Sequence, residues 1–277
     1  MRPNVIPFET IALAFCVGLY VVLVIGSMRL KIPRKVGFQG IDDSKAAEEY
    51  NRMSRTPQFK LIRRNFVKKL KKYNGEGTIV EVGCGQGYLL ELIAKEYPAI
   101  TLVGVDISKE MTERAKTNLE SLGFSGRAEF KQGPADHLPF EDRTQDFVVS
   151  TLSLHHWSNP ELAFNEIHRV LKPGGQMLTL DLRRDARQMF LWLMWFAQNV
   201  AFRIIGLNAL RRINEPIGSL LASYTLQEIT EMMSKSDFSN WQIEAKLGWI
   251  YLYGKKTLEA GDAWRIEKKK SDWLHKS

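Results

Sequence analysis

Between Thr78 and Asp181 short apolar, β-branched runs alternate with segments of helical periodicity, and this alternation restricts the chain more than any other feature of its sequence. The run Thr78-Ile79-Val80 leads into Gly83-Cys84-Gly85-Gln86-Gly87, and residues 88–95 then show helical spacing of their apolar side chains. The pattern predicts further strands at 100–106, 128–131, 146–151 and 176–181. It predicts helices at 109–122 and 161–171, the second ending at Lys172-Pro173-Gly174-Gly175. Strands that are apolar throughout are buried on both faces, so repeated strand–helix units imply a doubly wound, mostly parallel sheet with helices on both sides. Later runs at 241–245 and 249–253 bring the count to seven strands, the last able to pair as an antiparallel hairpin. Ligands of such sheets bind beyond the carboxyl ends of the strands, which is where Glu81, Asp106 and Asp136 or their loops fall.

The 277 residues, 44% hydrophobic and 25% charged, suffice for one sizeable core with extensions and not for two large domains. The expected division is 1–31 membrane anchor, 32–75 helical extension, 76–182 ligand-binding core, 183–225 helical cap, 226–254 the rest of the sheet and 255–277 a polar tail. Residues 10–28 carry no charge, and nineteen helical residues reach about 28 Å, close to a bilayer core. Arg29, Lys31, Arg34 and Lys35 follow the apolar stretch, so the positive-inside rule predicts a single-pass transmembrane helix with the large domain in the cytoplasm. The alternative is a hydrophobic helix docked on the domain.

A net charge of +8 suits either nucleic acid or an anionic membrane, and its distribution decides between them. The helix expected from Pro57 buries Phe59, Ile62, Phe66 and Leu70, and its other faces carry Lys60, Arg63, Arg64, Lys68, Lys69, Lys71 and Lys72. These read as a solvated face or a contact with lipid headgroups, since no nucleic-acid motif accompanies them. Residues 189–207 are rich in large apolar groups but interrupted by Arg203, which favours a helical cap over the site's mouth rather than a second span. Thr225 with Glu228 three residues on reads as a capping box. Trp264, Trp273 and Lys268-Lys269-Lys270 mark the tail. Two cysteines, Cys16 and Cys84, imply no disulfide framework and a reducing compartment. Cys84 reads as a small loop residue, because no thiolate-stabilising partner stands near it in sequence.

The loop reads Gly83-x-Gly85-x-Gly87 with Glu81 two residues before it, not the G-x-G-x-x-G of a nicotinamide site. Carboxylates there would accept from ribose hydroxyls and an ammonium group, which suits a nucleoside with a charged amino-acid tail. With Asp106 ending the second strand, Asp136 with Leu138-Pro139-Phe140 after the third, the Asp146 to His156 stretch and Arg169-Val170-Leu171-Lys172-Pro173-Gly174-Gly175, the chain resembles a class I S-adenosylmethionine-dependent methyltransferase. The resemblance is to the ubiquinone/menaquinone-biosynthesis branch and covers about residues 50–253. It implies a Rossmann-like fold and S-adenosyl-L-methionine as cofactor. It also implies that Gly83, Cys84, Gly85 and Gly87 pass under the methionine part, Asp106 accepts from the ribose, and Asp136 from the adenine amino group. Ile107 and Ala135 would flank the adenine, backbone near Thr151 would meet the ammonium, and Tyr50 would close over the cofactor.

Methyl transfer needs a base only where the acceptor loses a proton, because the sulfonium methyl is already electrophilic. His155, just after the fourth strand, and Tyr224, at the exit of the cap, are the candidate catalytic residues. Neighbouring histidines with no further ligand cluster give no reason to expect a metal. The acceptor class suggested by cap and anchor is small and apolar, lipid or quinone-like, with membrane lipids as partners and no nucleic acid. Two rivals remain at this point: a non-catalytic cofactor-binding module regulating a membrane partner, and a nicotinamide oxidoreductase.

Overall fold

The computed structural model describes residues 8–29, 31–36, 44–70, 77–212 and 214–258. Lys71, Lys72 and the tail with Trp264 and Trp273 lie outside the described residues.

The core is one seven-stranded sheet in the order β3-β2-β1-β4-β5-β7-β6. Strands β1 (Thr78–Val82), β2 (Thr101–Asp106), β3 (Ala128–Gln132), β4 (Gln145–Thr151) and β5 (Leu171–Leu182) are parallel neighbours. The sheet is nevertheless mixed: β7 (Trp249–Lys255) runs antiparallel both to β5 and to β6 (Asn240–Ala245). The chain builds outward from β1 to β3, then returns to lay β4 on the other side of β1, so the strand order reverses between β1 and β4. A crevice opens at such a reversal, beyond the strands' carboxyl ends.

Alternation along β1 and β4 divides the interior in two. Val80, Val82 and Val148 face a core with Phe164, Ile167 and Phe238, while Ile79, Phe147 and Val149 face one with Phe66, Leu90 and Leu119. Each such side chain contributes about 1.5–3 kcal/mol by its removal from water. Helices α4 (Tyr88–Glu96) and α5 (Lys109–Ser121) supply the second core, together with α3 (Pro57–Lys69), which follows α2 (Ser44–Ser54). On the first face lie α6 (Pro160–Val170) and α11 (Leu226–Lys235), the latter started by the expected capping box of Thr225 and Glu228.

Two expectations are corrected. The helix expected to run to residue 171 and end at residues 172–175 stops at Val170, and those residues are drawn into β5, which starts at Leu171 rather than at 176. The register jumps from Gln145↔Leu171 to Phe147↔Gln176, and Lys172 Nζ holds both oxygens of Asp146 at 2.8 Å across the bulge. The apolar stretch near the N-terminus forms α1 (Phe8–Ser27), but among the described residues no helix is long and apolar enough to cross a membrane. The end of α1 packs instead on α7 (Gln188–Phe196): a Cβ on Gly26 would meet the Trp192 ring at 3.1 Å. After α7 the cap continues through a π turn (Ala197–Ala201), α8 (Phe202–Ile204), α9 (Asn208–Arg212) and α10 (Ile217–Ala222).

Candidate active site

The glycine loop joins β1 to α4 at the strand-order reversal. Its first amides, Gly83 N and Cys84 N, donate to Val105 O at 2.8 and 3.0 Å, so β2 anchors the turn. Gly83 and Gly85 have φ of +72° and +51°, where a side chain is strained. Their surroundings differ. A Cβ on Gly83 would lie 1.9 Å from Ser153 Oγ, whereas one on Gly85 would meet nothing within 4 Å. Gly83 is therefore required by the protein's own packing, and Gly85 faces open space in which a ligand can touch backbone.

Asp106 closes this loop from the end of β2. One carboxylate oxygen accepts from Gly85 N at 2.8 Å and the other from Ser108 N at 3.0 Å. Burial nevertheless raises its pKa, against the pull of these amides. Beside it Ile107 is 45% exposed, an apolar side chain left at the surface of the crevice, and Ala135 is half-buried against the core. Asp136 lies partly exposed in the loop between β3 and β4. Cys84 is buried and its thiol is pushed well up by desolvation, which rules against a thiolate nucleophile.

Glu81, at the floor of the crevice, is almost fully buried. Thr151 Oγ1 donates to one of its oxygens at 3.5 Å, and the other is buried with no partner among the described residues. Desolvation raises its pKa well above the usual carboxylate value, the Arg63 guanidinium pulls it down, and the nearby Asp106 pushes it up. A buried carboxylate oxygen left unpaired is costly unless something cationic completes it. The donor set thus fits a ligand carrying an ammonium group next to a polar nucleoside part. Tyr50, on α2, stands close enough to Asp106, Arg63 and Glu215 to feel their charges, and burial raises its pKa. The same helix is tied to the loop through Gln86 Nε2 donating to Ala47 O at 2.9 Å, and to the cap through Glu49 accepting from Ala209 N and Leu210 N.

At the ends of β4 and β5 lies a second cluster. His155 is 2% exposed, its Nδ1 is 2.7 Å from Asp181 Oδ1, and its backbone N–H donates to Asp181 Oδ2 at 2.8 Å. Facing a carboxylate, Nδ1 carries the proton, which leaves Nε2 as an acceptor. That Nε2 is buried without a partner among the described residues. Burial works against the imidazolium, but the charge and hydrogen bond of Asp181 outweigh it and His155 is raised above its ordinary pKa. Tyr224 packs in the adjoining core under Arg34, whose guanidinium lies 4.1 Å from the ring centroid and reaches His155 O at 3.3 Å and Ala222 O at 2.6 Å. Glu215, at the foot of α10, is raised by burial and feels the charge of His155.

The structure thus brings Tyr50, Glu81, the glycines, Asp106, Ile107 and Thr151 to one crevice, and His155 with Tyr224 to its far side. Ser153, which packs on Gly83, stands two residues before His155 and joins the two parts. Asp181, Arg34 and Glu215 escaped the sequence reading. A carboxylate ending the fifth strand, as Asp106 ends the second, was the available signal for Asp181; Arg34 and Glu215 had none.

A family model described as a methyltransferase domain matches residues 80–179. A demethylmenaquinone methyltransferase of Leptospira interrogans is 30% identical over 176 residues, covering 62% of this chain and 70% of that protein. The biotin biosynthesis bifunctional protein BioHC of Teredinibacter turnerae is 32% identical over 143 residues, 48% of this chain but only 24% of that larger protein. Among solved structures, a Methanococcus maripaludis chain assigned as an S-adenosylmethionine-dependent methyltransferase superposes with a TM-score of 0.60 at 21% identity, covering 81% of this chain and 98% of that one. The structural likeness carries the fold and the sequence likeness carries the kinship. This chain therefore belongs to the class I S-adenosylmethionine-dependent methyltransferases, and within them it resembles the ubiquinone/menaquinone-biosynthesis branch.

Proposed function

We propose that the protein methylates a small apolar acceptor, lipid or quinone-like, at a membrane with its catalytic domain on the cytoplasmic side, and that His155 serves acceptors that must lose a proton. The observation that carries this reading is the buried His155–Asp181 pair, with Nε2 unpaired among the described residues, standing across Ser153 from the cofactor crevice.

S-adenosylmethionine supplies a methyl group on a positively charged sulfur, with a neutral thioether as leaving group. In this reading Glu81 takes the ammonium group, Gly83 shapes the turn, and Gly85 leaves room along the methionine part. Asp106 receives the ribose hydroxyls, Ile107 and Ala135 flank the adenine, and Asp136 accepts from its amino group. Thr151 supports the Glu81 end and Tyr50 covers the crevice from α2. On the acceptor side Asp181 fixes the tautomer of His155, so that Nε2 can draw a proton from a hydroxyl, thiol or activated carbon as the methyl bond forms. In this reading the rate comes largely from holding the acceptor in line with the methyl group in a site that excludes water.

The test is transfer of an isotopically labelled methyl group from S-adenosylmethionine to total membrane lipid extract by the full-length protein. Label in the apolar phase that disappears with His155→Gln is the expected result. Cofactor binding without transfer to any extract would instead support a regulatory module.

A further inference from the structure

Helix α7 has the composition of a buried element, yet half of it faces out. Its nine residues, Gln188–Phe196, contain no charge. Phe190, Leu191 and Met194 pack with Leu182, Ala186 and Leu220. The opposite face carries Trp192, Leu193, Trp195 and Phe196, all exposed, and the following turns add Ile204, 79% exposed, and Ile205. A helix on a water-facing surface turns a polar side outward; this one does not.

The neighbouring element continues the face. The end of α1 is stapled to the start of α7: Gln188 N donates to Met28 O at 2.8 Å, Arg29 forms a backbone bridge with Arg187, and Gly26 lies against Trp192. On α1 itself, Tyr20, Val22 and Leu23 are exposed. Among the described residues the exposed charges flanking this face are basic: Arg29, which also pairs with Asp185 at 3.6 Å, Lys31, Lys35 and Arg187 near the junction of α1 and α7, and Arg203 and Arg212 after α7. Exposed tryptophans on an apolar face rimmed by arginine and lysine match the headgroup boundary of an anionic bilayer, where indoles lie at the interface and cations meet phosphates.

We infer that α7 together with the adjoining end of α1 is a docking surface for an anionic phospholipid bilayer, and that it lays the acceptor side of the active site against the membrane. Docking of this kind requires no helix to cross. The chain from Asp181 through Arg184 runs straight into α7, and the segment after α1 is strapped over the His155 cluster by Arg34, by Lys35 N donating to Leu221 O, and by Arg184 Nε donating to Ile32 O. The route this inference assigns to an apolar acceptor runs from the bilayer under α7 to the His155 cluster. The inference deepens the proposed function and rests on it only for what the acceptor is; the docking itself stands on exposure and charge.

The test uses the full-length protein and vesicles of brominated phosphatidylcholine with or without phosphatidylglycerol. Tryptophan fluorescence is expected to be quenched by the vesicles containing phosphatidylglycerol, and this quenching should fall by more than half in Trp192→Phe/Trp195→Phe, which keeps the apolar face. Leu193→Glu should weaken vesicle binding about tenfold or more while S-adenosylmethionine binding in solution stays unchanged, so that loss of docking and loss of the cofactor site read out separately. Quenching equal in the wild type and the double variant would overturn the proposal. So would a vesicle-independent dimer that Leu193→Glu dissociates, since the face would then belong to a second copy.

Discussion

The crevice proposed for the cofactor and the cluster proposed for the acceptor lie side by side beyond the carboxyl ends of the parallel strands of one sheet, but they are built differently. The crevice comes from short consecutive stretches: a strand, a glycine turn, a helix start, and the carboxylate ending the next strand. Its key carboxylate, Glu81, keeps an oxygen without a partner among the described residues. The acceptor cluster gathers Arg34, His155, Asp181, Glu215 and Tyr224 from five separate places, and its central carboxylate, Asp181, is fully engaged with His155 and the Leu182 amide. In the proposed function one buried acid takes a cationic ligand while the other holds a base in place. The contrast teaches that burial alone does not set a carboxylate's role; what it is left to bind does.

The sharpest way to break the comparison is at the two glycines. Gly83→Ala forces its Cβ into Ser153, which joins both regions, and should cost about 2–5 kcal/mol of stability, seen as a drop in Tm and loss of both functions. Gly85→Ala should fold with about 1 kcal/mol of strain and instead lose cofactor affinity about 10- to 100-fold, measured by calorimetry. Equal behaviour of the two would show that Gly85 does not face the ligand.

Next in size, His155→Gln should lower kcat by about 10²–10⁴-fold for an acceptor that loses a proton, with cofactor affinity unchanged. In the wild type kcat should rise with pH through the raised pKa of His155, above 6.5, because only the neutral imidazole is a base. The stability linked to the same group runs oppositely: it is full below the unfolded value of 6.5 and lost as pH rises through the folded one. A flat kcat profile would remove His155 from the proton's path.

A gentler probe concerns Glu81. Its raised pKa means that it favours the protonated state when free, and a bound ammonium must draw the proton off. Cofactor binding should therefore release a proton and tighten as pH rises, by up to about tenfold per unit below the raised value. Calorimetry in buffers of different ionisation enthalpy reads this directly, and no proton release would place the ammonium elsewhere. The smallest effect lies outside both regions: Thr225→Ala removes the capping box of α11 and should cost about 1 kcal/mol in thermal unfolding without altering cofactor affinity.

Much of the crevice was legible because its logic is local. Glycines with positive φ, a carboxylate two residues before them and another closing the next strand are spacings that a sequence displays. The strand–helix alternation was legible for the same reason, and so was the Thr225–Glu228 cap. The start of β5 was not, since Lys172-Pro173-Gly174-Gly175 looks like a turn until Asp146 on the adjacent strand captures Lys172 and carries the segment into the sheet. Nor was the fate of the apolar stretch near the N-terminus, because hydropathy counts residues in one helix and is blind to α7, against which that helix ends.

The sequence by itself determined the alternating α/β fold, the glycine turn at its centre and the kind of ligand that turn admits, because each depends on residues within a few positions of one another. Only the tertiary structure decided that Asp181 grips His155, that Arg34 and Tyr224 close over them, that Glu215 stands near, and that α1 and α7 share one apolar face. Those contacts join residues tens to more than a hundred positions apart, and their energies come from burial that exists only once the sheet has brought the segments together.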